Sequence, residues 1–147
     1  MPNLFPEGET KPMYNTVDAA LLLIDAVWQY VSRTDDWAFV EEAYSVLERI
    51  VSGYRKGTHH GIGMDADGLI FAGQGLDQVT WMDVCVQGIL PTPRHGKPVE
   101  INAYWYNALI IMDKIAETLG HDRKDFAELA ELVQQSFPMR QYYAMML

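Results

Sequence analysis

Residues 80–107 read TWMDVCVQGILPTPRHGKPVEINAYWYN and pass from a loop rich in Pro and Gly into a helix-forming segment. A pocket for a carbohydrate needs flat apolar faces for the sugar rings, and carboxylates for hydroxyl groups and proton transfer. The stretch supplies both kinds of side chain through Trp81, Asp83, Glu100 and Trp105. The residue types therefore indicate a glycoside site, and the rest of the chain reads as its scaffold.

The segments that flank this stretch have helical periodicity. Residues 16–32 predict a helix with Asn15 or Thr16 as its cap and apolar side chains on nearly all sides, so we expect burial on several faces. Residues 37–55 alternate apolar and acidic positions as an amphipathic outer helix does, and Gly57 is a plausible stop. An inner helix followed by an outer helix is the repeating unit of an α/α barrel.

Helical periodicity also appears after the loop. A third helix is expected from Pro98 to Gly120, and a fourth over residues 123–137 with Asp122 as its cap. Residues 61–73 carry short apolar runs around Asp67-Gly68, which predicts a small β-hairpin. The fold class is therefore all-α with one hairpin, in a single domain over residues 1–147, and residues 1–14 are expected to form an extended arm with Phe5 as an anchor.

Composition limits the partners. A net charge of −9 argues against nucleic acid and against an anionic membrane surface, since both require a basic face. The single cysteine, Cys85, cannot form an intrachain disulfide, and with no export signal in the sequence we expect a cytoplasmic protein. Asp65 and Asp67 lack the Gly and Glu of a calcium loop, so no metal and no cofactor is expected.

Several side chains near the loop are candidates for a site. Trp81 and Asp83 would emerge on one face if the segment is extended. The basic cluster at Arg94, His95 and Lys97 suggests internal pairing with Glu100 or Asp83, although Arg94 could be a loop brace only.

Along the third helix, Glu100, Tyr104 and Asn107 share a stripe that is either a cavity wall or a solvated polar face, while Trp105 also falls on the core stripe. On the first helix, Asp18 is either a helix-start residue or a rim residue of the cavity. Asp25 reads as a core carboxylate with a hydrogen-bonding partner.

The segments YNTVDAALLLIDA, DADGLI, TWMD and TPRHGKPVEINAYWYNAL resemble the glucosidase domain of glycogen debranching enzymes, the amylo-alpha-1,6-glucosidase family, from near Asn3 to about Phe137. The resemblance implies part of an (α/α)6 barrel that hydrolyses the α-1,6-linked glucose stub of glycogen or another branched α-glucan with inversion. Asp83 would be the general acid, and the family's catalytic base would lie downstream of this chain. The remaining site expectations are substrate-binding residues: Asp18, Trp81, Arg94, Lys97, Glu100, Trp105 and Asn107.

An alternative belongs to another class of protein. A partial barrel exposes helix flanks that missing helices would cover, and such apolar surfaces usually find a partner. The chain is then an inactive sugar-binding or self-associating module, and a homo-oligomer is expected.

Overall fold

The computed structural model describes residues 4–5, 7–8 and 11–137. Within them the chain forms four α-helices, a short 3-10 turn and a two-stranded antiparallel sheet. The elements in order are α1 (Ala19–Thr34), α2 (Trp37–Lys56), β1 (Gly63–Met64), β2 (Ile70–Phe71), α3 (Val99–Leu119) and α4 (Phe126–Ser136). The 3-10 turn covers His59–Gly61. The mostly helical fold class and the hairpin are confirmed.

The first two helices form an antiparallel pair. Asp36 caps α2 by accepting a hydrogen bond from the Phe39 backbone N–H. At the other end of the pair, the Tyr54 hydroxyl donates to the backbone oxygen of Val17 over 2.7 Å. The predicted start of α1 was wrong, because the helix begins at Ala19 with Asp18 at the cap position, and the Asn15 amide donates to the Gln78 backbone oxygen.

Helix α3 lies beside α1 and runs in the same direction. Asn107 of α3 donates to Asp25 of α1 over 3.1 Å, and further along, Lys114 of α3 lies 5.7 Å from the ring centroid of Trp28 of α1. Because both residue numbers rise together, the two helices are parallel, and α2 runs antiparallel to both. The first residues of α1 and α3 therefore lie at the same end of the molecule.

The core lies between α1, α2 and α3, with α4 and the hairpin covering one side of α3. The expectation that α1 is buried on several sides was wrong for one stripe, because Leu22 and Tyr30 are each 43% exposed. The largest fully buried side chains include Trp105, Phe126, Leu21, Ile24, Leu47, Ile101, Leu109 and Met112.

The hairpin is fixed to α3 by buried polar contacts. Asn102 accepts from the Ile70 backbone N–H over 2.7 Å and donates to the Ile70 backbone oxygen over 3.1 Å. Gly68 takes a positive φ of 81° in the turn, and its backbone oxygen accepts from the Trp105 indole N–H over 3.0 Å. These hydrogen bonds therefore hold the hairpin in a fixed position over the first turns of α3.

Two boundary predictions need correction. Helix α4 begins at Phe126 rather than near residue 123, because Asp122 accepts from the Lys124 backbone N–H in a turn that precedes the helix. The arm is not extended throughout, since the Met13 backbone N–H donates to the Leu4 oxygen in an antiparallel bridge, and Phe5 is 69% exposed rather than anchored. None of the helices described here is long and apolar enough to cross a bilayer.

Candidate functional site

Residues 80–83 form a closed turn held by the Asp83 side chain. Oδ2 of Asp83 accepts from the backbone N–H groups of Val79 over 2.8 Å and Thr80 over 3.2 Å, while Oδ1 accepts from the Thr80 hydroxyl. The Thr80 hydroxyl in turn accepts from the Met82 backbone N–H over 3.3 Å. The bond from the Thr80 N–H to Asp83 is one half of a capping box, whereas the Thr80 hydroxyl accepts from Met82 rather than from Asp83, and no helix follows.

The turn separates Trp81 from Asp83. Asp83 is buried with 6% of its surface exposed, whereas Trp81 is 70% exposed. The expectation that both side chains emerge on one face was wrong, because it assumed an extended segment and the Asp83 carboxylate folds back onto its own backbone. The turn thus presents the indole to solvent and keeps the carboxylate beneath it.

The turn is joined to the start of α1. The Val17 backbone N–H donates to the Val79 oxygen over 2.8 Å, which places Asp18 close to the segment that Asp83 holds. Asp18 is half-buried at the α1 cap position. Burial, with a smaller contribution from the Asp18 charge, raises the pKa of Tyr54, whose hydroxyl already donates to the Val17 oxygen.

The turn is also joined to the start of α3. Arg94 pairs with Glu100, and one of its nitrogens lies 3.6 Å from the Met82 sulfur. The pairing of the basic cluster with Glu100 is confirmed. Because each side chain of this pair is less than a third exposed, the charges are partly shielded from water and their geometry is constrained.

Lys97 lies elsewhere. Its ammonium contacts Asp65 over 2.8 Å and Asp67 over 2.7 Å in the hairpin turn. The hydrogen bond from Lys97 lowers the pKa of Asp65, and the two carboxylates raise the pKa of Lys97. Lys97 therefore acts as a brace between the loop and the hairpin in this structure.

Trp105 is fully buried, and its ring centroid lies 5.7 Å from that of Tyr54. This agrees with its position on the core stripe. A direct sugar contact does not fit this burial, because the indole has no exposed face to offer.

A cleft of 120 Å³ lies between α1 and α3, and Leu21, Leu22, Asp25, Tyr104 and Asn107 line it. Asp25 has the hydrogen-bonding partner that was predicted for it, the Asn107 amide. Tyr104 and Asn107 belong to the polar stripe that begins at Glu100, so the stripe follows the groove between the two parallel helices.

The structure thus brings together five of the predicted site residues around the starts of α1 and α3: Asp18, Trp81, Asp83, Arg94 and Glu100. Asn107 lies further along the same groove, Lys97 lies at the hairpin and Trp105 lies in the core. Among the described residues, no group of three His, Cys, Asp or Glu side chains is placed to hold a metal ion.

A family model described as amylo-alpha-1,6-glucosidase matches residues 1–144, nearly the whole chain. The chain belongs to the amylo-alpha-1,6-glucosidase family. The match extends past Phe137, where the resemblance was expected to end. Searches of curated proteins and of solved structures find no match.

Sequence reasoning missed three residues that build the candidate site in this member of the amylo-alpha-1,6-glucosidase family. Thr80 was overlooked, although a Thr followed three residues later by an acidic residue is the sequence signal of a capping box. Asn15 and Gln78 were also missed. They form a link to the turn through the Asn15 donation to Gln78 and a 3.5 Å contact from Gln78 to the Asp83 backbone oxygen, which no local pattern indicates.

Proposed function

We propose that this chain carries the sugar site of a glycogen debranching-type α-1,6-glucosidase and that its ligand is a branched α-glucan. The observation that carries the proposal is the match to the amylo-alpha-1,6-glucosidase family over residues 1–144. The convergence of Trp81, Asp18 and the Arg94–Glu100 pair on the Asp83 turn supports the placement of the site there. The exposed Trp81 indole suits the apolar face of a glucose ring.

The proposed fold is a part of an (α/α)6 barrel within one domain. Its support is the helix geometry: α1 and α3 are parallel neighbours, and α2 packs against both in the opposite direction. In this arrangement α1 and α3 are inner helices, and the groove with Asp25 and Asn107 faces the barrel interior.

The proposed role of Asp83 is that of general acid in an inverting hydrolysis. The support for this role is the resemblance of the TWMD segment to the family, and in this structure both carboxylate oxygens of Asp83 accept hydrogen bonds from Val79 and Thr80. Inversion requires a second carboxylate about 6.5–9.5 Å away to activate water. No residue of this chain is assigned as that base, so the proposal separates sugar binding from turnover.

Glucose release from a branched limit dextrin tests the enzyme reading. With the unmodified chain we expect binding of the dextrin, and any glucose released has to be lost in Asp83→Asn. Glucose release that persists at the unmodified rate in Asp83→Asn would refute the assignment of the acid.

Trp81→Ala provides the binding control. The indole is 70% exposed, so the substitution leaves the core intact and the melting temperature unchanged within about 1 °C. Dextrin affinity is expected to fall by about tenfold through the loss of the aromatic platform. Unchanged affinity would place the sugar elsewhere.

A second candidate function is a sugar-binding or self-associating module without turnover. The exposed apolar flank at Leu22, Tyr30 and Phe39 favours it, because a helix face of this kind usually has a partner. Sedimentation equilibrium tests the self-association. A dimer that Leu22→Glu converts to a monomer would support self-association, and a monomer at all concentrations would exclude self-association.

A further inference from the structure

A second cleft lies next to the loop that leads into the Asp83 turn. It measures 440 Å³ and lies between the arm, the 3-10 turn and the loop before Asp83. We call it the arm cleft and define it by six of its lining residues: Tyr14, Asn15, His59, His60, Asp77 and Gln78. It joins a larger cleft of 920 Å³ against α2, since Tyr14 and His59 line both.

We propose that the arm cleft binds a stretch of α-glucan chain as a subsite separate from the Trp81 turn. The proposal rests on the proposed function, because that function supplies the ligand class. Each of the two clefts has a volume within the range of about 300–1,000 Å³ that is usual for small-ligand sites. Together they offer more space than one glucose ring requires.

The first argument concerns aromatic surface. The rings of Tyr14 and His59 lie 5.6 Å apart at an interplanar angle of 36°, and Tyr14 is 41% exposed. Two tilted aromatic faces that remain open to solvent provide apolar area for the C–H faces of sugar rings. Their tilt suits a curved α-glucan chain better than a flat ligand.

The second argument concerns the polar groups. His60 Nδ1 lies 2.9 Å from Asp77 Oδ1, and the other Asp77 oxygen accepts from the Gln74 backbone N–H over 3.1 Å. The hydrogen bond to His60 is the largest cause that lowers the pKa of Asp77, so Asp77 stays ionised and orients the ring. An oriented imidazole beside carboxamide side chains offers the mixed donors and acceptors that hydroxyl groups require.

The third argument concerns the loop that presents His60. His60 has a φ of 57°, which is unfavourable for a residue with a side chain, and its backbone oxygen is fixed by a 3.0 Å hydrogen bond from the Gly73 N–H. His95 supports the separate loop that carries Asp77, the partner of the His60 ring, with Nε2 3.0 Å from the Asp77 backbone oxygen. The imidazole is therefore held at the cleft by contacts from both sides.

The fourth argument concerns the connection to the turn. The Asn15 side-chain amide donates to the Gln78 backbone oxygen over 2.9 Å. The Gln78 side-chain amide donates to the Asp83 backbone oxygen over 3.5 Å. A glucan chain in the arm cleft would therefore lie one side-chain link away from the Asp83 turn.

The test is a titration of the ¹⁵N-labelled chain with maltotetraose, followed by amide chemical shifts. We expect saturable shifts at Tyr14, His59 and Gln78, and a dissociation constant about 3- to 10-fold weaker in Tyr14→Ala. Tyr30→Ala is the matched control, because Tyr30 is similarly exposed at 43% but lies at the far end of α1. Its affinity is expected to equal that of the unmodified chain.

The outcomes separate the two proposals. Shifts confined to the Trp81 turn and the start of α3 would overturn the arm-cleft subsite and leave the proposed function standing. Shifts in the arm cleft alone would support the subsite and count against the Trp81 site, and no shifts with any glucan would overturn both. Arm-cleft shifts that appear on raising protein concentration without sugar would assign the cleft to a second copy and refute the subsite. If Tyr14→Ala fails to fold, the shift map of the unmodified chain decides.

Discussion

Replacing Asp83 by Ala is expected to unfold the loop that carries Trp81. The carboxylate accepts from two backbone N–H groups and one hydroxyl, and its side chain is buried. Removal leaves the Val79 and Thr80 N–H groups without these acceptors. At about 1 kcal/mol for each lost bond, with an added cost for buried unpaired donors, the free energy of unfolding should fall by about 2–4 kcal/mol.

Asp83→Asn is the matched variant. The Asn oxygen can accept from the same two N–H groups, and its amide can donate to the Thr80 hydroxyl, so a loss below about 1.5 kcal/mol is expected. Asn cannot donate a carboxyl proton, so the substitution removes the proposed acid function while the loop survives. The pair therefore separates the structural role of Asp83 from its proposed chemical role.

Urea unfolding followed by tryptophan fluorescence measures both variants, with the amide shifts of residues 79–83 as a local readout. A loss for Asp83→Ala within about 0.5 kcal/mol of the unmodified chain would refute the turn-brace reasoning. So would equal losses for Asp83→Ala and Asp83→Asn, because the hydrogen bonds could not then be the cause.

Tyr54→Phe should lower the free energy of unfolding by about 1 kcal/mol, because the bond to the Val17 oxygen is lost. Tyr44→Phe should be neutral or stabilising, because the buried Tyr44 hydroxyl has no hydrogen-bond partner among the described residues. Urea unfolding measures both variants. Burial raises the pKa of Tyr44 to about 12, from 10.0 in the unfolded chain. The folded state therefore loses stability relative to the unfolded state as the pH rises from about 10 toward 12, and this loss should be smaller in Tyr44→Phe. Gly68→Ala should destabilise by about 1–2 kcal/mol more than Gly8→Ala, since both glycines have a φ of 81° but only the added Cβ at Gly68 meets Leu132 at 3.0 Å; equal thermal shifts would contradict this. Three carboxylates have pKa values lowered chiefly by hydrogen bonds from a neighbouring basic side chain: Asp65, Asp77 and Asp125. Their stabilisation is complete above the unfolded pKa of about 3.9 and is lost as the pH falls through the folded values, so unfolding in urea should become easier below about pH 4, and a flat profile from pH 5 to 3 would exclude their contribution.

The helices could be predicted from the sequence because their signals are local. Apolar spacing gave the faces of α2 and α3, and Gly120 ends α3 where its sequence position indicated. The Asp67-Gly68 pair likewise gave the hairpin turn. Each of these features depends on residues within about one turn of each other.

The candidate site was less predictable because long-range polar contacts build it. Trp81 and Asp83 were expected on one face by strand alternation, but the Thr80 hydroxyl and two backbone N–H groups compete for the carboxylate and close the chain into a turn. The sequence predicted Trp105 for both the core and the site. The structure shows that its indole N–H donates to the Gly68 backbone oxygen, a contact that depends on how the hairpin packs on α3. Periodicity carries no information about such partners.

The shared direction of α1 and α3 also shapes the electric field at the Trp81 loop. In each helix the peptide dipoles align, and the first turn carries the equivalent of about half a positive charge. Because α1 and α3 have 16 and 21 residues and begin at the same end, these two contributions add instead of cancelling. In a chain of net charge −9, these two positive helix ends partly offset the carboxylates of Asp18 and Glu100, which lie at the same end of the molecule.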